Sequence, residues 1–435
     1  MNEMKLLLKN CDILAADGLG GYRWIKNGFL GINGDTIDYI GEAKPEAVYD
    51  SEKDMSHRLL CPGLINCHGH TAMTLLRGVG SDLPLQEWLF EKMMPIEDKF
   101  TARDIKAGNA LALLEMISTG TTSYSDMYFE PKTAVENAIQ AGIKANISRP
   151  VQCFNPDERY EDNVRVKEFM DLYQTCNGLA DGRVLIDFAI HAEYTNFEHI
   201  VRPYSDLCRE WGGRMHIHLS ETKREHDECV AKYGKTPAQW FRDLGTFNSP
   251  TFAAHCVWVT EEDMAIMKEY GVSAVHNPTS NMKLGSGFAP IPKMLDMGIN
   301  VTLGTDGAAS NNNLNLMEEM HLASVLHNGF TGDPTLMKPT QLLTMATANG
   351  AKLQGRSDTG ALEVGKKADI IAFDMDRPHL YPVVDPLALV TYSAQGSDVV
   401  MNMVDGRIIY ENGEFLTLDK EQILYECRAS VARLY

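Results

Sequence analysis

The sequence predicts an α/β protein: a (β/α)₈ barrel of the TIM type with a small β-sandwich domain built from both chain ends. Three observations carry this. The middle of the chain alternates eight short apolar runs with helical stretches. The first 57 residues, and the stretch after about residue 360, read instead as strands and tight turns. The 435 residues are enough for one large barrel plus an accessory domain. The chain accordingly divides into residues 1–57 plus 360–435, the sandwich, and residues 58–359, the barrel.

At the N-terminus, Lys5-Leu-Leu-Leu-Lys, Gly28-Phe-Leu-Gly-Ile and Thr36-Ile-Asp-Tyr-Ile read as strands. Asn10, Cys11 and Asp12 interrupt the first apolar stretch, which argues against a signal peptide. The eight barrel-strand candidates are 59–67, 121–127, 143–150, 184–191, 214–219, 251–255, 272–276 and 300–304. The clearest helix is 101–118, with Thr101 placed to cap it and Asp104 in its first turn. No Gly-x-Gly-x-x-Gly turn follows an early strand, which disfavours a doubly wound sheet. After residue 360, 368–374 and 399–404 read as strands, and Asp405-Gly406 is a hairpin turn leading into Arg407-Ile-Ile-Tyr.

Lys plus Arg is 40 and Asp plus Glu is 59, a net charge of −19. A surface that acidic argues against nucleic acid and anionic membranes as partners. It leaves a small molecule, and a homo-oligomer is compatible with it. No apolar run is long enough to span a bilayer. Nine cysteines without a Cys-x-x-Cys pair read as free thiols of a reducing, cytoplasmic compartment.

The chemistry sits at strand ends. The first barrel strand runs into Cys67-His68-Gly69-His70, where residues i and i+2 point the same way. The fifth ends in His216-Ile-His218-Leu-Ser-Glu221, the sixth in His255 and the eighth in Thr305-Asp306-Gly307. In such a barrel these ends converge on one face, where active sites sit. Three neutral imidazoles and a carboxylate suit one Zn²⁺ or a similar divalent ion, with Fe²⁺ and Mn²⁺ tolerated by the same donors. A carboxylate and a histidine beside the ion can move protons. Ser123 and Ser220 lack the Gly-x-Ser-x-Gly elbow of a serine hydrolase.

The run Pro62-Gly-Leu-Ile-Asn-Cys-His68-Gly-His70, with His218, His255 and Asp306 on later strands, resembles the amidohydrolase superfamily over essentially the whole chain. Some members carry a modified lysine at the end of the fourth strand. This strand ends Phe188-Ala-Ile-His191, which points to the single-metal branch. Further motifs are similar to the members that deaminate adenosine analogues: Leu85-Gln-Glu-Trp88, Pro95-Ile-Glu97, Ser148-Arg149-Pro, His191-Ala-Glu, His276-Asn-Pro-Thr-Ser-Asn and Gly304-Thr-Asp306-Gly-Ala-Ala-Ser310.

The resemblance implies hydrolytic removal of the adenine amino group from 5′-methylthioadenosine and S-adenosylhomocysteine, with adenosine as a third substrate. It implies His68, His70, His218 and Asp306 as metal ligands. Glu221 would protonate ring N1, His255 would orient the attacking water, and Asp306 would carry that water's proton to the leaving ammonia. Glu97 would bind the ribose hydroxyls, His191 a purine nitrogen, and Ser310 the purine near its amino group, while Trp88 would pack on the nucleoside. Arg149 would meet the carboxylate of S-adenosylhomocysteine, with Arg159 as second arginine. His276 could line the site or brace its loop. Guanine, cytosine or triazine hydrolysis on the same frame is the alternative, and a non-catalytic binding barrel a remoter one.

Overall fold

The computed structural model describes residues 5–435; the first four residues of the expected N-terminal part lie outside it. Eight parallel strands form the barrel: Leu64–Asn66, Thr121–Met127, Lys144–Val151, Val184–Ile190, Met215–Leu219, Thr251–His255, Ser273–His276 and Val301–Leu303. The first and last meet just past their ends. Cys67 N donates to Leu303 O at 3.0 Å, and Asp306 N donates to His68 O at 3.0 Å. These strands are buried almost throughout, as parallel strands sandwiched between a barrel interior and a helical ring must be. That is why each reads as an apolar run.

A nine-stranded mixed sheet is built from both chain ends. At its centre Arg58–Pro62 runs parallel to Lys5–Ala16 and antiparallel to Ile370–Asp374. The expected strand 59–67 is therefore two strands in two sheets. Gly63 is the break: its N–H goes to Asp369 O at 3.0 Å. A Cβ there would fall 2.2 Å from the Thr122 side chain, so only glycine lets the chain pass from sheet to barrel.

The helix at 102–118 has Thr101 as its cap, as expected, and Asp104 completes a capping box with it. Asp405 and Gly406 both take positive φ in the hairpin between Val399–Val404 and Arg407–Glu411. The stretch after residue 360 departs from the expected strand texture in its helices, a short one at Pro386–Tyr392 and a longer final one at Lys420–Leu434. Asp419 caps it, and Cys427 Sγ packs 3.3 Å from Ala107 O on the helix at 102–118. Ile423, Cys427, Ser430 and Leu434 give it one inward stripe at helical spacing. No helix among the described residues is long and apolar enough to cross a membrane.

Candidate metal centre and substrate cavity

The C-terminal strand ends converge as the fold requires. His68 and His70 follow the first strand, His218 is the last residue but one of the fifth, His255 ends the sixth, and Asp306 follows the eighth. Ser220, His255 and Asp306 all take positive φ, at 47°, 72° and 60°. Non-glycine residues rarely adopt this conformation, and it concentrates at functional sites. Here the sharp turns follow directly on apolar strands, at the points where the chain leaves the barrel.

The imidazoles are held from behind. His70 Nδ1 lies 2.7 Å from Met127 O, and His218 Nδ1 lies 2.7 Å from His191 O. Each Nδ1 therefore donates to a backbone carbonyl, which turns Nε2 inward as the atom offered to an ion. His68 Nδ1 is 2.8 Å from His216 Nε2. His68 Nε2 is buried without a partner among the described residues. Burial holds the His68 pKa down at about 4, so the ring is neutral, as a ligand must be.

The inward atoms are close together. Asp306 Oδ1 is 3.4 Å from His68 Nε2 and 3.3 Å from His70 Nε2, while His218 Nε2 is 3.4 Å from His70 Nε2. Donors 2.0–2.1 Å from an ion at tetrahedral angles stand about 3.3 Å apart. An otherwise costly orphaned nitrogen, backbone-oriented imidazoles and these separations all fit a divalent ion.

Asp306 is itself braced. Its Oδ2 accepts from Ser280 Oγ at 2.6 Å and Ser310 Oγ at 2.8 Å, and its Oδ1 from Gly307 N at 2.8 Å. Ser310 thus orients Asp306 from behind, and it does not line the cavity. This corrects the expectation that it reaches the purine. His255 Nδ1 sits 2.9 Å from Asn281 Oδ1, and its Nε2 is 3.7 Å from Glu221 Oε2. Burial, reinforced by the Asp306 and Glu225 charges, raises the Glu221 carboxyl well above its usual pKa. The Glu221 backbone N–H is tied to Glu225 Oε2 at 2.8 Å. His276 does not line the cavity; it braces, its Nε2 lying 3.1 Å from His327 Nε2 in a buried pair.

Above this cluster opens a cavity of about 440 Å³, within the usual range for a small-molecule site. His191 lines it, its pKa pushed down to about 3 by burial. Trp88 and Glu97 line a second wall. They come from a segment with a π-helical turn, Trp88–Met93, of the kind that often marks functional sites. The Tyr128 hydroxyl donates to Glu97 Oε1.

Arg149, Arg165 and Glu168 line a third wall. Arg149 lies two residues before the end of the third strand, and its Nε donates to Glu168 Oε2 at 2.7 Å. Arg165 and Glu168 lie one turn apart on the helix Val164–Cys176, capped by Asn163. Arg159 is absent from this wall. Its side chain is 73% exposed and bonded to Glu161 at 3.3 Å, on an irregular loop that points it to solvent. Sequence reading missed Arg165, Glu168 and Tyr128. The helical i, i+3 spacing of Arg165 and Glu168, just after the Asn163 cap, was the available signal.

The sequence profile of the amidohydrolase family matches residues 59–409. The chain belongs to the amidohydrolase family. Among its relatives is a 5-methylthioadenosine/S-adenosylhomocysteine deaminase of Caldanaerobacter subterraneus subsp. tengcongensis, 42% identical over 430 residues and 97% of each chain. A 5′-deoxyadenosine deaminase of Methanosarcina acetivorans is 41% identical over 99% of this chain and 98% of its own. A zinc-bound adenosine deaminase of Xanthomonas campestris superposes with a TM-score of 0.92 at 28% identity, covering 99% of this amidohydrolase and 98% of that chain.

Proposed function

We propose that this amidohydrolase is a hydrolytic deaminase of adenine nucleosides bearing a 5′-thio substituent: 5′-methylthioadenosine and S-adenosylhomocysteine, with adenosine as a smaller substrate. The observation that carries the reading is a single cavity. It joins the histidine–aspartate cluster to a carboxylate suited to a ribose diol and to a wall bearing two arginines. A bare ring needs neither of the last two. The names of the relatives above point the same way.

His68, His70, His218 and Asp306 would hold one divalent ion, zinc being the ion this reading favours over Fe²⁺ or Mn²⁺. When bound, the ion supplies Lewis acidity that makes water nucleophilic near neutral pH. The remaining steps belong to the chain. Glu221, kept protonated by burial, delivers a proton to ring N1 and makes C6 electrophilic. His255, its Nδ1 fixed by Asn281, orients the attacking water through Nε2. Asp306 accepts that water's proton and passes it to the departing nitrogen. The C6–O bond forms and the C6–N bond breaks; the remaining proton of the added hydroxyl returns to Glu221 as C6=O forms, and the hypoxanthine nucleoside and ammonia leave.

Glu97 accepts from the ribose 2′- and 3′-hydroxyls, one of its oxygens already steadied by Tyr128. Neutral His191 meets a second purine nitrogen, and Trp88 packs on the nucleoside. Arg149 and Arg165 face the carboxylate of the homocysteine tail. The test is a panel of 5′-methylthioadenosine, S-adenosylhomocysteine, adenosine and free adenine, read by the adenine-to-hypoxanthine absorbance change and ammonia release. Turnover of the nucleosides in preference to adenine is expected. Turnover of none of them by metal-loaded protein would overturn the reading.

A further inference from the structure

We infer that Glu168 is a specificity residue that recognises the α-ammonium group of an amino-acid tail, so that the third wall reads a zwitterion rather than an anion. The inference rests on the deaminase reading and deepens it. Arg149, Arg165 and Glu168 line the same stretch of cavity. Arg149 is buried at 8% exposure, with its Nε on Glu168 Oε2 at 2.7 Å and its Nη1 on Pro150 O at 3.0 Å. Arg165 has a buried Nε without a partner among the described residues. Its only polar contact there is Nη1 to Gln152 O at 3.5 Å. The wall therefore has guanidinium capacity to spare.

Glu168 is the informative member. One oxygen is taken by Arg149, while its other oxygen accepts no hydrogen bond among the described residues. Its side chain is 47% exposed, at a cavity-lining position. A wall evolved for a bare carboxylate would be weakened by this charge, because like charges repel across a site. An α-amino acid carries both signs on one carbon. Its carboxylate can face the guanidinium groups while its ammonium meets the free Glu168 oxygen. The methyl of methylthioadenosine uses neither.

The alternative is that Glu168 only holds Arg149 in place. Two comparisons separate these roles. The first uses the unaltered holoenzyme with S-adenosylhomocysteine and its desamino analogue, in which hydrogen replaces the ammonium and the carboxylate stays. A charged hydrogen bond at a half-open site should favour the parent by about five- to tenfold in kcat/KM. The second uses Glu168→Gln, whose amide oxygen can still accept from Arg149. There the parent-to-desamino ratio should fall to about 1, with metal content and melting temperature preserved as evidence of folding. Equal kcat/KM for the two compounds with unaltered enzyme would overturn the inference while leaving deamination intact. So would an unchanged ratio in Glu168→Gln. Failure of metal-loaded enzyme to deaminate either compound or methylthioadenosine would overturn the underlying reading as well.

Discussion

His216 Nε2 stands 2.8 Å from His68 Nδ1, two residues before His218 on the same inward-facing side of the fifth strand. One strand thus supplies a proposed ligand and, one layer deeper, the support for another. Outer partners of this kind typically contribute 10–100-fold in metal affinity. His216→Ala should therefore weaken zinc binding by about that factor, read by competition with a chelator. Unchanged affinity would mean that His68 is oriented by packing alone.

Glu221→Gln keeps the shape of the side chain and removes the proton. General acid–base groups contribute on the order of 10²–10⁴-fold, so kcat should fall at least about 100-fold while bound metal, measured by elemental analysis, stays at the level of the unaltered protein. A loss under about tenfold would reject the role.

The arginine wall distinguishes three candidates. Arg149→Met and Arg165→Met should each lower kcat/KM on S-adenosylhomocysteine by about tenfold or more, the value of a charged hydrogen bond, with a smaller loss on methylthioadenosine. Arg159→Met should behave like the unaltered enzyme, because its guanidinium is in solvent. A selective loss on changing Arg159 would place the tail elsewhere.

Tyr128→Phe removes the hydroxyl that steadies Glu97. KM for adenosine should rise by roughly 5- to 30-fold, since about 1–2 kcal/mol of hydrogen bonding is lost. The same change should matter little for a 2′,3′-dideoxy analogue, which gives Glu97 nothing to bind. Equal effects on both would mean that Tyr128 supports the pocket walls and not the ribose contact.

The barrel was legible because its strands are buried on both faces and so read as apolar runs such as Val184–Ile190. The cluster was legible because polar residues stood at the ends of such runs. What was hidden depended on contacts between distant segments. Nothing local in 59–67 says that Arg58–Pro62 pairs with Ile370–Asp374 while Leu64–Asn66 pairs with Thr121–Met127. Ser310 shares its loop with Asp306, and only the turn closed by Ser310 N donating to Gly307 O at 3.1 Å aims its hydroxyl back at that carboxylate. Arg159 and Arg165 lie six residues apart, and the choice between them falls to the helix beginning at Val164, which turns one into the cavity and leaves the other on the loop.

The central claim is that one divalent ion, held where the strand ends meet, enables this chain to deaminate a thio-nucleoside. The most direct measurement strips the protein of metal and titrates Zn²⁺ back while following S-adenosylhomocysteine. Activity should rise linearly and level off at one ion per chain, with one ammonia released for each adenine converted. Full activity in the stripped protein, a break point at two ions, or loss of adenine absorbance without ammonia would contradict it.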